Sequence, residues 1–475
     1  MLYRSLKVRN WLKMVSLHAI AGKIRALRGA FSGWTNVSTN RRIFSAAATI
    51  AVLMVVVKVT VVAKELLTAW RFGTNDALDA FLIAYVLPSF AINLITGAFF
   101  AAFMPTYIEV RETEGRAASN KLLSNVMTLN IVLFFIVTVL IVAGAPVYLP
   151  WLAHGFNSEK LTLTRHLVYA LAPAVLISGI VNLWTTVLNA GERFVLPALT
   201  PMLTPLAVSF FMIVSVDLLG VFALAVGMVC GAILEATFLG MALRRQGIPL
   251  HPSWHGFDPR VRQVIGQYVP MLAGSFMMGG TFMVDQAMAA TLPSGSVAAL
   301  NYGNKLIALP LGVAVTALGT AVMPYFSKMV ALKDWTNIRH TLRRYLLLVF
   351  VTSVPLTAML MWFAEPLVRI VFQRGAFTAQ DTVIVAQVQI MYGLQIPFYL
   401  AVTLVVRLIS SLKANSILMW MAAVNLPVNI ILDLIFMRWF GVAGIALSTA
   451  MVYLVSFTGS LVLLNKRLRQ SERQS

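Results

Sequence analysis

Four basic side chains lie within stretches of sequence otherwise too apolar to face water: Lys58, Lys64, Lys305 and Arg407. Each is expected to disfavour membrane insertion by about 2.5–3.5 kcal/mol, so such a charge tends to face a cavity or a partner. Lys58 sits roughly 20 Å into its apolar run at helical rise, and Lys305 is again near mid-depth. Lys64 lies near one boundary and Arg407 near the opposite one, where snorkelling to the interface accounts for them. Four carboxylates accompany them: Glu65, Asp79, Glu235 and Asp285. Lys58 precedes Glu65 by seven positions, which puts both on one helix face. A cavity holding two or more lysines and few compensating carboxylates would bind an anion such as a diphosphate. The carboxylates would be charge partners or would couple transport to Na+ or H+. The plainer alternative is that Asp285 neutralises Lys305 or Lys58 and leaves no net field.

The elements that must position these charges are membrane helices. With 59% hydrophobic residues, only 11% charged and a mean hydropathy of +0.83, the chain has too little polar surface to face water over most of its length. About twelve runs reach the ~20 residues needed to span a bilayer. They lie near 45–67, 78–104, 122–146, 164–189, 194–215, 219–243, 263–290, 297–326, 344–364, 382–408, 415–437 and 440–464. The single cysteine, Cys230, excludes a disulfide framework and a cysteine-based metal site. No GxxxxGK[ST] loop occurs, so ATP hydrolysis by this chain is not expected, and the reading calls for no cofactor.

These runs come in two matching sets. Pro310 follows Pro88 by 222 positions, Pro427 follows Pro205 by 222, and Gly220-Val221 returns as Gly441-Val442 after 221. On the same offset Asp285 falls beside the place of Glu65, and Asn301 matches Asp79. An all-α, polytopic membrane protein is expected, with about twelve transmembrane helices in two pseudo-symmetric six-helix lobes around a central cavity. Substrate would pass between the repeats.

Charge sets the orientation. Of the 37 Lys and Arg residues, 27 fall in the tails and loops on one side, against 6 on the other and 4 within spans. Positive-inside asymmetry then places both termini in the cytoplasm, and it explains the net charge of +20 without nucleic acid. The expected organisation is a basic cytoplasmic tail over 1–44, a six-helix lobe over 45–243, a cytoplasmic linker over 244–262, a second lobe over 263–464 and a basic tail over 465–475. The first 44 residues contain no acidic side chain. They read as a basic amphipathic helix on the anionic inner leaflet, as an orientation-setting tail, as an over-extended start or as an organelle-type leader. Arg244, Arg245, Arg260 and Arg262 make the central linker a natural hinge or headgroup contact.

An ordered set of short motifs resembles the MurJ/MviN family of lipid-linked oligosaccharide flippases. It begins with Phe72-Gly73, Asp79-Ala80-Phe81, Leu87-Pro88, Gly97-Ala98-Phe99 and Phe103-Met104-Pro105. Gly191-Glu192-Arg193-Phe194, Pro197-Ala198, Ser294-Gly295-Ser296, Tyr302 and Leu309-Pro310 follow in order. Ala317-Leu318-Gly319-Thr320, Pro324 and the run Phe372 to Thr378 complete it, so the similarity covers about 45–464. The resemblance implies the fold of the multidrug and oligosaccharidyl-lipid exporters. It matches the family's cavity arginines to Lys58, Lys64 and Lys305, keeping charge without bidentate geometry. The family's helix-2 charge cluster is replaced by Ala91, Ile92 and Thr96, and its two further C-terminal helices have no counterpart before the chain stops.

On this reading the protein is a transporter, not an enzyme, in the bacterial inner membrane. It is expected to flip a polyprenyl-diphosphate-linked sugar, lipid II of peptidoglycan in the first place, by alternating access. Its partners would be the lipid-linked saccharide, membrane lipids and the enzymes of cell-wall or polysaccharide synthesis. An exopolysaccharide or O-antigen flippase is the nearest alternative. A multidrug cation antiporter would want a more acidic cavity, and a membrane-embedded glycan enzyme would want a catalytic constellation that the short outer loops, with only His154 and His166, do not offer.

Overall fold

The computed structural model describes residues 39–474 apart from Lys413 and Asn415. The acid-free basic stretch between Leu6 and Arg28 lies outside the described residues. In lipid the backbone must satisfy its own hydrogen bonds, so each apolar run closes into a helix. The first six helical units are α1 (Thr39–Phe72), α2 (Asp76–Thr113), α3 (Gly115–Leu152), α4 (Ser158–Ala190), α5 (Val195–Val214) and α6 (Phe222–Arg244). The second six are α7 (Pro259–Ala289), α8 (Ser296–Ala331), α9 (Trp335–Trp362), α10 (Ala379–Ser411), α11 (Ser416–Phe440) and α12 (Val442–Gln474). Among the described residues nine of these units are long and apolar enough to cross a membrane, and α1, α7 and α8 occupy the other three expected spans.

Polar residues at the turns set where helices begin. Asn75 caps α2 by accepting from the Leu78 amide at 2.9 Å, and Asn157 caps α4 through Lys160 N at 2.8 Å. Asp258 caps α7, with Pro259 in the first helical position. Thr378 and Asp381 form a reciprocal capping box on α10.

Two spans expected to be continuous are broken. In α5 a 3-10 turn at Thr200–Met202 separates two helical pieces, because Pro197, Pro201 and Pro205 each remove an amide from the ladder. In α10 the helix interrupts at Leu394, where Pro397 cannot donate to the carbonyl of Gly393. A short helix, Ala364–Phe372, occupies part of the stretch read as an outer loop. It buries Ala364, Val368 and Phe372 and leaves Ile370 exposed, the stripe of a helix lying on a surface. At the far end α12 runs on as helix to Gln474, where Glu472 accepts from Arg339 at 2.7 Å.

The repeat is visible in backbone conformation. Gly220 and Gly441, 221 apart in sequence, both turn with left-handed φ, +55° and +54°. Gly73 and Gly295, 222 apart, do likewise at +55° and +84°. This second pair closes one end of the molecule. A Cβ on Gly73 would meet the carbonyl oxygen of Ala376 at 2.4 Å, and one on Gly295 would meet that of Thr74 at 2.3 Å. Gly375 lies against Trp70, and Gly155 against Ala290. Ala376 N donates to Trp70 O at 2.8 Å, and the Thr74 hydroxyl bonds the Asp381 carboxylate. Backbone against backbone, the two lobes are sealed at this end, which is the one that the charge tally assigns to the outside.

Candidate substrate cavity

Below the seal a cavity of about 340 Å³ opens between α1, α2, α5, α6, α7 and α8. Its charge comes from three residues. Glu65 on α1, only 9% exposed, pairs with Lys64 Nζ at 2.5 Å and, across the lobe interface, with Lys305 Nζ on α8. Lys305 also stands 5.5 Å from the ring centroid of Tyr302. Lys64 and Glu65 are sequence neighbours that point about 100° apart on a helix, yet their long side chains meet. The triad carries one net positive charge, and the two lysine side chains keep partial exposure, 28% for Lys64 and 34% for Lys305. Thr68, Tyr85, Thr204 and Asn301 add polar lining to an otherwise apolar wall.

This arrangement differs from the expected one in four respects. Lys64 does not snorkel to a boundary; it joins the triad. Lys305 is neutralised by Glu65, not by Asp285. Lys58 shares a face with Glu65 two turns away but is exposed, and among the described residues it has no ion-pair partner. Arg407, on α10, does not line the cavity. Its Nε is buried without a hydrogen-bond partner.

The other carboxylates are dispersed. Asp79 is buried and caps α8 across the interface, accepting from Gly295 N and Ala298 N, both at 2.8 Å. Lys160 compensates it at 3.1 Å and reaches Asp76 at 2.5 Å. Asp79 is therefore part of the seal. Glu235 accepts from the Thr204 hydroxyl at 2.7 Å where α5 meets α6. Asp285 lies inside the second lobe, where Asn429 donates at 2.9 Å and Thr449 at 3.0 Å. Asp433, fully buried, lies beside it. Neither Asp433 nor Lys160 was singled out in the sequence. Asp433 stands close to the end of its span, where a carboxylate reads as interfacial, and its i, i+4 spacing from Asn429 was the available signal.

The family model described as "Lipid II flippase MurJ" matches residues 68–475. The chain belongs to that family. It is 29% identical over 444 residues to the probable lipid II flippase MurJ of Synechocystis sp., covering 90% of this chain and 83% of that protein. To the lipid II flippase MurJ of Burkholderia cenocepacia it is 27% identical over 365 residues, covering 74% and 70%. The solved inward closed conformation of lipid II flippase MurJ superposes with a TM-score of 0.76 at 22% identity, over 88% of this chain and 87% of that one. An inward-facing multidrug resistance transporter of the MATE family superposes with a TM-score of 0.71 at 11% identity, over 90% and 99%. The fold is that shared by the MurJ and MATE transporters. Membership of the MurJ family makes this chain a lipid II flippase, a multi-pass membrane transporter and not an enzyme.

Proposed function

We propose that the protein carries lipid II from the cytoplasmic to the outer leaflet of the bacterial inner membrane by alternating access between its lobes, with the diphosphate held by Lys64 and Lys305. The observation that carries this reading is the Lys64–Glu65–Lys305 triad beneath a sealed end. An arriving diphosphate competes with the Glu65 carboxylate for two ammonium groups, and its greater charge favours the exchange. Because Glu65 and Lys305 belong to different lobes, that exchange removes an ion pair holding them together. Lys58, two turns from Glu65 on the same helix face, supplies the first cation met on the way in. Arg407 takes no part. The sugar occupies the aqueous cavity and the isoprenoid stays in lipid.

The domain division follows the two lobes, 45–243 and 263–464, with 244–262 as the joint and both termini in the cytoplasm. Support for the joint comes from Ser124 and Asn125, which hold His251 O, Ser253 and His255 N and so fasten the linker's middle to the first lobe. Ion coupling, to Na+ or H+, is assigned to Asp285 with Asp433, since Asp79 lies in the seal, Glu65 pairs with the lysines, and Glu235 has the Thr204 hydroxyl beside it where Asp285 has a second carboxylate. The deciding experiment depletes the resident lipid II flippase of a bacterial host, supplies this protein and follows outer-leaflet lipid II. Restored growth with restored exposure is expected. Lysis despite normal membrane insertion would transfer the protein to the exopolysaccharide branch.

A further inference from the structure

A second cavity, away from the transport path, opens where the end of α8 meets the beginning of α9, with a volume of about 820 Å³. Its polar end is basic: Lys328 of α8 with His340 and Arg344 of α9. No carboxylate lines it, and among the described residues none of these three side chains has an ion pair or hydrogen bond; Arg339, on another face, takes Glu472. Its other end is apolar and unpaired, formed by Leu347, Leu348 and Val351, each more than half exposed.

The α9 residues fall at i, i+4, i+7, i+8 and i+11, a single stripe. From His340 to Val351 the stripe descends roughly 16 Å, about the depth of one leaflet of a ~30 Å hydrocarbon core. Tyr325, 69% exposed, stands on the facing α8 among the basic residues, where an amphipathic ring suits the headgroup level. A surface with positive charge at the boundary and an apolar groove running one leaflet inward matches a single class of ligand. We propose that this groove binds an anionic glycerophospholipid of the cytoplasmic leaflet, its phosphate on Lys328, Arg344 and His340 and its acyl chains along Leu347, Leu348 and Val351.

The bound lipid would brace the junction of α8 with α9 on the same helix that carries Lys305. The assignment is independent of which lipid-linked sugar the transporter carries. Native mass spectrometry of the full chain with added phosphatidylglycerol tests it. The wild type is expected to retain one more phosphatidylglycerol than the Lys328→Gln/Arg344→Gln double variant. Loss of two basic contacts should weaken that retention on the order of thirtyfold. The Lys328→Arg/Arg344→Lys exchange, which preserves charge, should keep it. Phosphatidylcholine should not be retained at the site, and millimolar inorganic phosphate should not displace the lipid. Equal phosphatidylglycerol counts for the wild type and the glutamine variant would overturn the proposal, as would equal retention of phosphatidylcholine. Displacement by inorganic phosphate would reduce the site to one for free anions. Should the double variant not fold, the single variants Lys328→Gln and Arg344→Gln take its place, each expected to lose about fivefold.

Discussion

Glu65 is the residue on which the cavity's electrostatics turn. Removing a partner from a buried ion pair leaves an uncompensated charge, a loss of about 3–5 kcal/mol where burial is complete. The triad tolerates its own burial because one carboxylate serves two cations that are each partly open to the cavity. If Lys305 holds a diphosphate, Lys305→Arg should retain most of the translocation measured in proteoliposomes and Lys305→Gln should lose at least tenfold, with both proteins present in the membrane. Equal rates for the two variants would show that charge at this position is not used. Glu65→Gln removes the competitor, so the diphosphate should bind more tightly while release, and hence turnover, slows. Lys305 at mid-depth was legible in the sequence, as was the need for it to face something. Its partner was not, because 240 residues separate Lys305 from Glu65 and only the closure of two lobes brings them together. The attraction of Asp285 as a partner rested on repeat equivalence alone; in the fold, Asn429 and Thr449 keep that carboxylate within its own lobe.

At the scale of elements, the helices were legible because membrane spans announce themselves by length and apolarity, and the proline offsets fixed which helix corresponds to which. What hid the breaks in α5 and α10 is that one to three prolines lower the mean hydropathy of a long apolar run too little to interrupt it, although each takes an amide from the ladder. The turns do more than connect. Gly73 and Gly295 allow two lobes to meet at van der Waals distance, and Asp79 caps α8 from the opposite lobe. A methyl group at Gly73 would be strained in either state by its left-handed φ, but its clash with Ala376 exists only while the seal is shut. Gly73→Ala should therefore shift the population toward the open form, on the order of tenfold for each ~1.4 kcal/mol of clash. Spin labels at Glu159 and Glu365, both exposed near this end, would report it as a longer distance in the variant. An unchanged distance distribution would mean that the turn relaxes without cost.

For the molecule as a whole, orientation rests on the ratio of 27 basic residues to 6. Cysteines introduced at Lys328 and Lys466 should react only with reagents that reach the cytoplasm, and one at Ser296 only from outside, once the seal opens enough to admit them. The reverse pattern would invert the transport direction together with the topology. The seal has one more consequence. Much of its contact is made by main-chain atoms: Trp70 O on Ala376 N, Thr74 O against Gly295, Ala290 O against Gly155. Main-chain atoms are common to every residue type, so most side chains around the closure are free to drift over evolutionary time, provided that nothing larger than hydrogen replaces the glycines. A gate built this way can be inherited by chains that share barely a quarter of their residues, and a search for it by side-chain identity would find little beyond its four glycines and the Asp79 and Asp381 carboxylates.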